Sequence, residues 1–133
     1  MPRIITVGAA QLGPIQRRDS RASVVARMLE LLRLAAEHQC RLVVFPELAL
    51  TTFFPRWWMA DQREIDSFFE WEMPGEATAP LFEEAQRLGI GFYLGLAEIE
   101  QRGNEVRRFN SSILVDATGR LVGKYRKIHL PGP

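Results

Sequence analysis

Two apolar runs rich in β-branched residues, 4–10 (IITVGAA) and 42–45 (LVVF), bracket one amphipathic stretch. That arrangement limits the fold more than any other feature of the chain. Between the runs, Val24, Met28, Leu31, Leu32 and Ala35 recur at helical spacing, while Arg21, Arg27, Glu30, Arg33 and Glu37 take the other side. Gly13 and Pro14 close the first run, Asp19 or Ser20 stands where a helix cap belongs, and the periodicity ends near Gln39. Strand, helix and strand with short connections make a βαβ unit. Its crossover requires the strands to be parallel and lays the helix on the sheet. Both strands are expected to be buried.

Downstream, residues 57–73 are aromatic and acidic. Ile65, Phe68, Phe69 and Glu72 fall at helix-like spacing and predict a second helix, broken at Met73-Pro74-Gly75. A third helix is predicted with Thr78 as its cap, Pro80 in its first turn, Leu81, Phe82, Ala85 and Leu88 as its stripe, and Gly89 as its stop. Residues 90–99 (IGFYLGLAEI) read as a third strand, with Gly91 and Gly95 permitting close packing. Residues 101–105 read as an exposed loop, and Arg107 and Arg108 as an exposed basic pair before a fourth strand at 110–115 (NSSILV). The DATG turn at 116–119 then returns the chain antiparallel over 121–125. The expectation is an α/β layer with helices on one face and a sheet passing from parallel to antiparallel pairing. No closing element follows, so residues 1–133 are expected to be a single, truncated domain with an open edge and an uncovered face, prone to self-association.

Composition narrows the function classes. Hydrophobic residues are 47% and charged residues 25%, which is ordinary for a globular domain. Lys and Arg number 17 against 16 Asp and Glu, a net charge of +1 that makes no electrostatic case for nucleic acid or an anionic membrane. No apolar run approaches the roughly 18 residues of a membrane span. The one cysteine, Cys40, allows no internal disulfide, and a cytoplasmic location is the natural reading. His38 and His129 are far apart, and neither sits in a metal-ligand cluster, so no metal is expected.

The stretch FPELALTTFFPRW (45–57) sets Glu47 just past a strand end, where ligands gather in open α/β sheets. Two readings fit it. One is an exposed Glu after a strand. The other is a general base, because a carboxylate beside Phe45, Leu48, Leu50, Phe53 and Phe54 needs a cation, hydrogen-bond donors or a proton. Lys127, in GKYRKIHLPG, is the candidate cation; the alternative is a solvated basic hairpin end with Lys124, Arg126 and Lys127 all exposed. Phe53, Phe54 and Trp57 fit either a pocket wall or plain core. Cys40, at the end of the first amphipathic helix, reads as a small core residue.

FPELALTTFFPRW and GKYRKIHLPG together resemble the nitrilase superfamily of carbon–nitrogen hydrolases. With VGAAQLGPIQR, LGIGFYLGLAE and RRFNSSILVDATGRLVGKYRKIHLPG, the similarity runs colinearly over residues 4–132 and looks like the N-carbamoyl-D-amino acid amidohydrolase branch. The resemblance implies an αββα sandwich of which this chain is the N-terminal part, and a Glu–Lys–Cys triad whose Glu and Lys fall on Glu47 and Lys127. It implies thiol attack on a ureido carbonyl, a carbamoyl-enzyme, and release of D-amino acid, ammonia and carbon dioxide without a cofactor. It places His129 near the active site, where a structural role is the alternative. The implied partners are a small ureido or amide substrate and copies of the full-length chain in a homo-oligomer. The implied nucleophile follows a later strand than any in this sequence, and Cys40 does not match it. Another amidase branch, or an inert truncated product, is the alternative outcome.

Overall fold

The computed structural model describes residues 1–132. Its strands are β1 (Val7–Ala9), β2 (Leu42–Val44), β3 (Gly91–Arg102), β4 (Glu105–Val115) and β5 (Leu121–Arg126), and they form one sheet in that sequential order. β1–β2 and β2–β3 are parallel, and β3–β4–β5 is an antiparallel meander. This is the parallel-to-antiparallel transition read from the sequence. Helix α1 (Arg21–Glu37) crosses from β1 to β2, the short α2 (Gln62–Asp66) follows a 3₁₀ turn at Phe54–Arg56, and α3 (Ala79–Leu88) leads into β3. Ser20 caps α1, its side chain accepting from Ser23 N, and Gly89 ends α3 in the left-handed region at φ 63°. Among the described residues no helix is long and apolar enough to cross a membrane.

One face of the sheet carries the main core. Val24, Met28 and Leu32 of α1 and Leu81, Phe82 and Ala85 of α3 meet Val43, Phe92, Leu94, Leu96, Ile113 and Val115. Each fully buried Leu, Ile or Phe contributes about 1.5–3 kcal/mol relative to an exposed one. Strand alternation sends Ala97 to the opposite face, where Leu48, Phe54 and Phe68 cover it in a second, smaller cluster. Phe54 stacks on Phe68 with centroids 5.0 Å apart. Elsewhere that face is bare: Val7, Val44, Tyr93, Leu114 and Tyr125 are exposed along it, and Val44, Tyr93 and Leu114 are direct cross-strand neighbours. Of the four-layer sandwich that the resemblance implies, the described residues form one helix layer and one sheet.

Several expectations are corrected. The first strand is three residues long, not seven, and Ile4, Ile5 and Val7 are exposed. It is an edge strand, and the three-residue β2 offers it no longer ladder. The second helix stops at Asp66 because Phe68 and Phe69 turn inward onto Phe54 and Glu70 pairs with β3 beside Glu98. The expected loop at 101–105 is a tight hairpin turn at Gly103 and Asn104, with β3 and β4 fully paired up to it. An antiparallel ribbon satisfies its backbone whatever its side chains, so polar composition misleads there. Arg107 and Arg108 therefore lie within β4, paired with Glu105 and Asp66. Thr78 stands at the cap position of α3, but its hydroxyl accepts from Gly75 N instead of closing the helix.

Candidate functional site

The site begins where β2 ends. Phe45 N donates to Tyr93 O, carrying the β2–β3 ladder one residue on, and the Phe45 ring is buried. The chain then folds onto β3: Gly95 N donates to Pro46 O at 3.2 Å, and Ala49 N to Gly95 O at 2.9 Å. A Cβ on Gly95 would stand 2.7 Å from both Glu47 Cα and Pro46 O, so only glycine permits this approach. Leu48 makes the reversal at φ 48°, a left-handed conformation costing a branched residue roughly 1–2 kcal/mol. Burial of its side chain in the smaller cluster offsets that cost. Phe45, Leu48 and Leu50 thus point into cores, and Glu47 alone projects toward β4 and β5.

Lys127 arrives from the other end of the sheet. Its N donates to Asn110 O at 2.8 Å, one residue beyond the last register pair, Ser111 with Arg126. Alternation separates the basic residues of GKYRK. Lys124 and Arg126 bind Glu98, and Arg126 also binds Glu100, while Lys127 turns to the opposite face. Lys124 and Lys127 are exposed, as the reading of a solvated basic hairpin end had them, and Arg126 is half-buried, but all three are paired with carboxylates.

Lys127 Nζ donates to Glu47 Oε1 at 2.8 Å, and Asn110 Nδ2 donates to the same oxygen at 2.7 Å. Lys127 foremost, then Asn110, holds the Glu47 carboxyl below its usual range, against a smaller upward pull from partial burial. Glu47 is therefore a paired carboxylate at neutral pH. Its side chain is 49% exposed, as the reading of an exposed Glu after a strand had it, and it is not immersed in its apolar neighbours.

Three grooves meet at Glu47. A polar one of about 430 Å³ is lined by Tyr93, Ser112, Tyr125, Lys127 and His129. An apolar one of about 370 Å³ is lined by Phe53, Phe54, Phe69, Phe109, Lys127 and Leu130. A third, of about 540 Å³, carries Trp57, whose ring lies under the guanidinium groups of Arg17 and Arg56. Glu47 and Lys127 are thus brought together with His129, Phe53 and Phe54 beside them, and Trp57 stands in a separate groove across Glu47.

Asn110 is the site residue missed in the sequence, where it reads only as the first residue of a strand. Cys40 is not brought in. It precedes β2, whereas Glu47 follows it, and its sulfur packs beside Gly8 at the margin of the main core. Arg108, on the rim of the apolar groove, is occupied by a two-pronged bond to Asp66 at 2.6 and 2.8 Å. Among the described residues, no three His, Cys, Asp or Glu side chains converge as a metal site. The arrangement offers an ionised carboxylate with one oxygen that no group among the described residues engages, an ammonium group beside it, and open volume above both. Such a pair can accept a proton and stabilise a developing oxyanion.

A family model described as carbon–nitrogen hydrolase matches residues 6–133. Among solved structures, a carbon–nitrogen hydrolase from Helicobacter pylori G27 superposes with a TM-score of 0.74 at 23% identity, over 96% of this chain and 40% of that one. An amidase from Nesterenkonia sp. superposes at 0.67 and 20% identity, over 97% and 44%. An N-terminal amidase does so at 0.73 and 20%, over 96% and 28%. The chain therefore spans less than half the length of these structures, and at such identities the likeness is one of fold.

Proposed function

The chain belongs to the carbon–nitrogen hydrolase family, a family of enzymes, and from that premise we propose that it contributes the general base and the cationic partner of an amide-hydrolysing site. The observation that carries this reading is the 2.8 Å contact between Lys127 Nζ and Glu47 Oε1 at the carboxyl end of β2. Glu47 takes the proton of an attacking thiol and later activates water. Lys127, positioned by its carboxylate partner, stabilises the oxyanion of the tetrahedral intermediate. Cys40 lies at the far end of β2, so the thiol comes from outside these 133 residues.

The finer reading is hydrolysis of N-carbamoyl-D-amino acids. The thiolate attacks the ureido carbon, the bond to the amino acid nitrogen breaks, and that nitrogen leaves with a proton. Water then cleaves the carbamoyl thioester to ammonia and carbon dioxide. Support comes from the colinear resemblance over residues 4–132 and from the apolar groove beside the pair, which suits the side chain of an apolar amino acid. The preference for the D-enantiomer rests on the resemblance.

The native protein that carries this sequence tests both levels. Ammonia release is expected from N-carbamoyl-D-amino acids, and its loss by at least about 10²-fold in Glu47→Gln and in Lys127→Ala. Near-normal turnover in either variant sinks the assignment of the pair. Turnover confined to L-carbamoyl compounds or simple amides points to another amidase branch, which the amidase neighbours also favour. A native species of 15.2 kDa that releases no ammonia from any of these substrates would identify an inert product, the reading that the remote Cys40 favours.

A further inference from the structure

We propose that Asn110 is the positioning residue of the Glu47–Lys127 pair: it commits Oε1 of Glu47 to two donors and leaves Oε2 as the oxygen that receives the proton. The proposal rests on the reading of Glu47 as a general base.

Two independent donors converge on one oxygen. Asn110 Nδ2 reaches Glu47 Oε1 at 2.7 Å and Lys127 Nζ reaches it at 2.8 Å, and among the described residues no group donates to Oε2. The orientation of the Asn110 amide follows from chemistry, since an ionised carboxylate only accepts and must face the NH₂ end. A carboxylate held at one oxygen by two donors loses the rotation that would exchange Oε1 and Oε2. The unengaged oxygen keeps its lone pairs for an incoming proton, while Oε1 stays the anchor of Lys127.

Asn110 also touches both members of the pair. Its side chain binds Glu47, and its carbonyl accepts from Lys127 N at 2.8 Å. It sits within β4, registered against Ala97 of β3, which lies under Leu48 in the smaller cluster. One residue thus ties the turn carrying Glu47 to the strand end carrying Lys127, from the middle of a paired ladder. Placement on a rigid strand suits a positioning role better than placement on a loop. In the reaction, the thiol proton passes to Oε2, the electron pair stays on sulfur, and Oε2 returns the proton to the departing nitrogen.

The test reads Glu47 directly. The 133-residue chain, labelled with ¹³C at glutamate side chains, is titrated by NMR as wild type, Asn110→Ala and Asn110→Asp. The other ionisable groups around the three grooves are Lys127, His129, Tyr93, Tyr125, Arg108 and Arg56, and His129 is followed in the same samples so that its titration is fitted separately. The expected result is a Glu47 midpoint moved up in Asn110→Ala and further up in Asn110→Asp, whose shape is conserved but whose added carboxylate repels. Glu98, on the opposite sheet face, serves as the control and stays in place. An unchanged Glu47 midpoint overturns the proposal, as does an equal displacement of Glu47 and Glu98. If Asn110→Ala fails to fold, the near-isosteric Asn110→Asp carries the same readout.

In the native protein, Asn110→Ala is expected to lower kcat roughly tenfold or more with KM little changed. Full kcat in that variant overturns the positioning role. Hydrolysis by Glu47→Gln separately tests the underlying reading, so the two failures are distinguishable.

Discussion

Gly95 and Glu47 are in backbone contact, so close that a methyl group on Gly95 would stand 2.7 Å from the Glu47 Cα. The third strand therefore sets the height of the turn that carries Glu47 above the sheet. Gly95→Ala is expected to destabilise the chain by about 1–3 kcal/mol, the usual range for overpacking. It should also lift Glu47 from Lys127 and Asn110, so the Glu47 carboxyl returns toward its ordinary value. Thermal melts and side-chain titration check the two effects together.

Lys127→Ala separates function from stability. The pair is well exposed, at 38% and 49%, and such pairs contribute less than about 1 kcal/mol. The melt should barely move, yet the Glu47 carboxyl should rise and hydrolysis should fall. The sign follows from the lowered Glu47 carboxyl: the small stabilisation is present above the ordinary carboxylate range and disappears as pH falls through the folded value. Urea midpoints of wild type and variant should differ slightly at neutral pH and converge in acid.

Glu98 governs a larger acid response. Burial raises its carboxyl, but bonds from Arg126, Lys124 and Ser111 outweigh that and bring it to about 2. Its contribution is complete above about 4.5 and is lost as pH falls toward about 2. Arg126→Met, which removes the main partner, should cost about 2 kcal/mol at neutral pH and flatten the acid limb of the stability curve. Urea unfolding from neutral pH into acid measures both; an unchanged acid limb would contradict this account of Glu98.

Leu48 reverses an ordinary ranking. Leu48→Ala keeps the left-handed strain and loses the buried side chain, at a cost of about 2–5 kcal/mol. Leu48→Gly loses the same burial but is at ease at φ 48°. The glycine variant should therefore be the more stable of the two by about 1 kcal/mol. Chemical denaturation of the pair decides it.

The bare sheet face should drive self-association. Val44, Tyr93 and Leu114 form an apolar row across three strands. Sedimentation of the 133-residue chain should show concentration-dependent association, weakened in Leu114→Lys. A monodisperse monomer at all concentrations would contradict this.

Periodicity and punctuation made most of the architecture legible. α1 carries an apolar stripe behind a serine cap, α3 an apolar stripe ended by Gly89, and β2 is a short β-branched run. Glu47 and Lys127 were legible because each lies in a long, specific motif. Asn110 was hidden by one residue of register. Opposite Leu114 and Val115 the ladder shifts, leaving Val122 as the extra residue of a bulge. An unbulged hairpin from the same turn would pair Asn110 with Arg126 and send Lys127 to the wrong neighbour. A slip of one residue changes the face of every side chain beyond it, and nothing in LVGKYR announces the bulge. The contraction of the second helix was hidden for a different reason: tertiary stacking on Phe54 overrides the local spacing.

The meander also sets an order of assembly. β3, β4 and β5 are joined by tight turns, and closing such short loops is fast and entropically cheap. Asn110 and the backbone of Lys127 therefore meet early, within one hairpin. Glu47 is 80 residues from Lys127 along the chain and reaches it only after β2 has docked on β3. In refolding of the whole chain the cation and its strand partner would meet first, within the hairpin, and the carboxylate would join them last; on a growing polypeptide the order reverses, since Glu47 and β2 emerge ahead of Lys127 and the lysine is the last of the three to arrive.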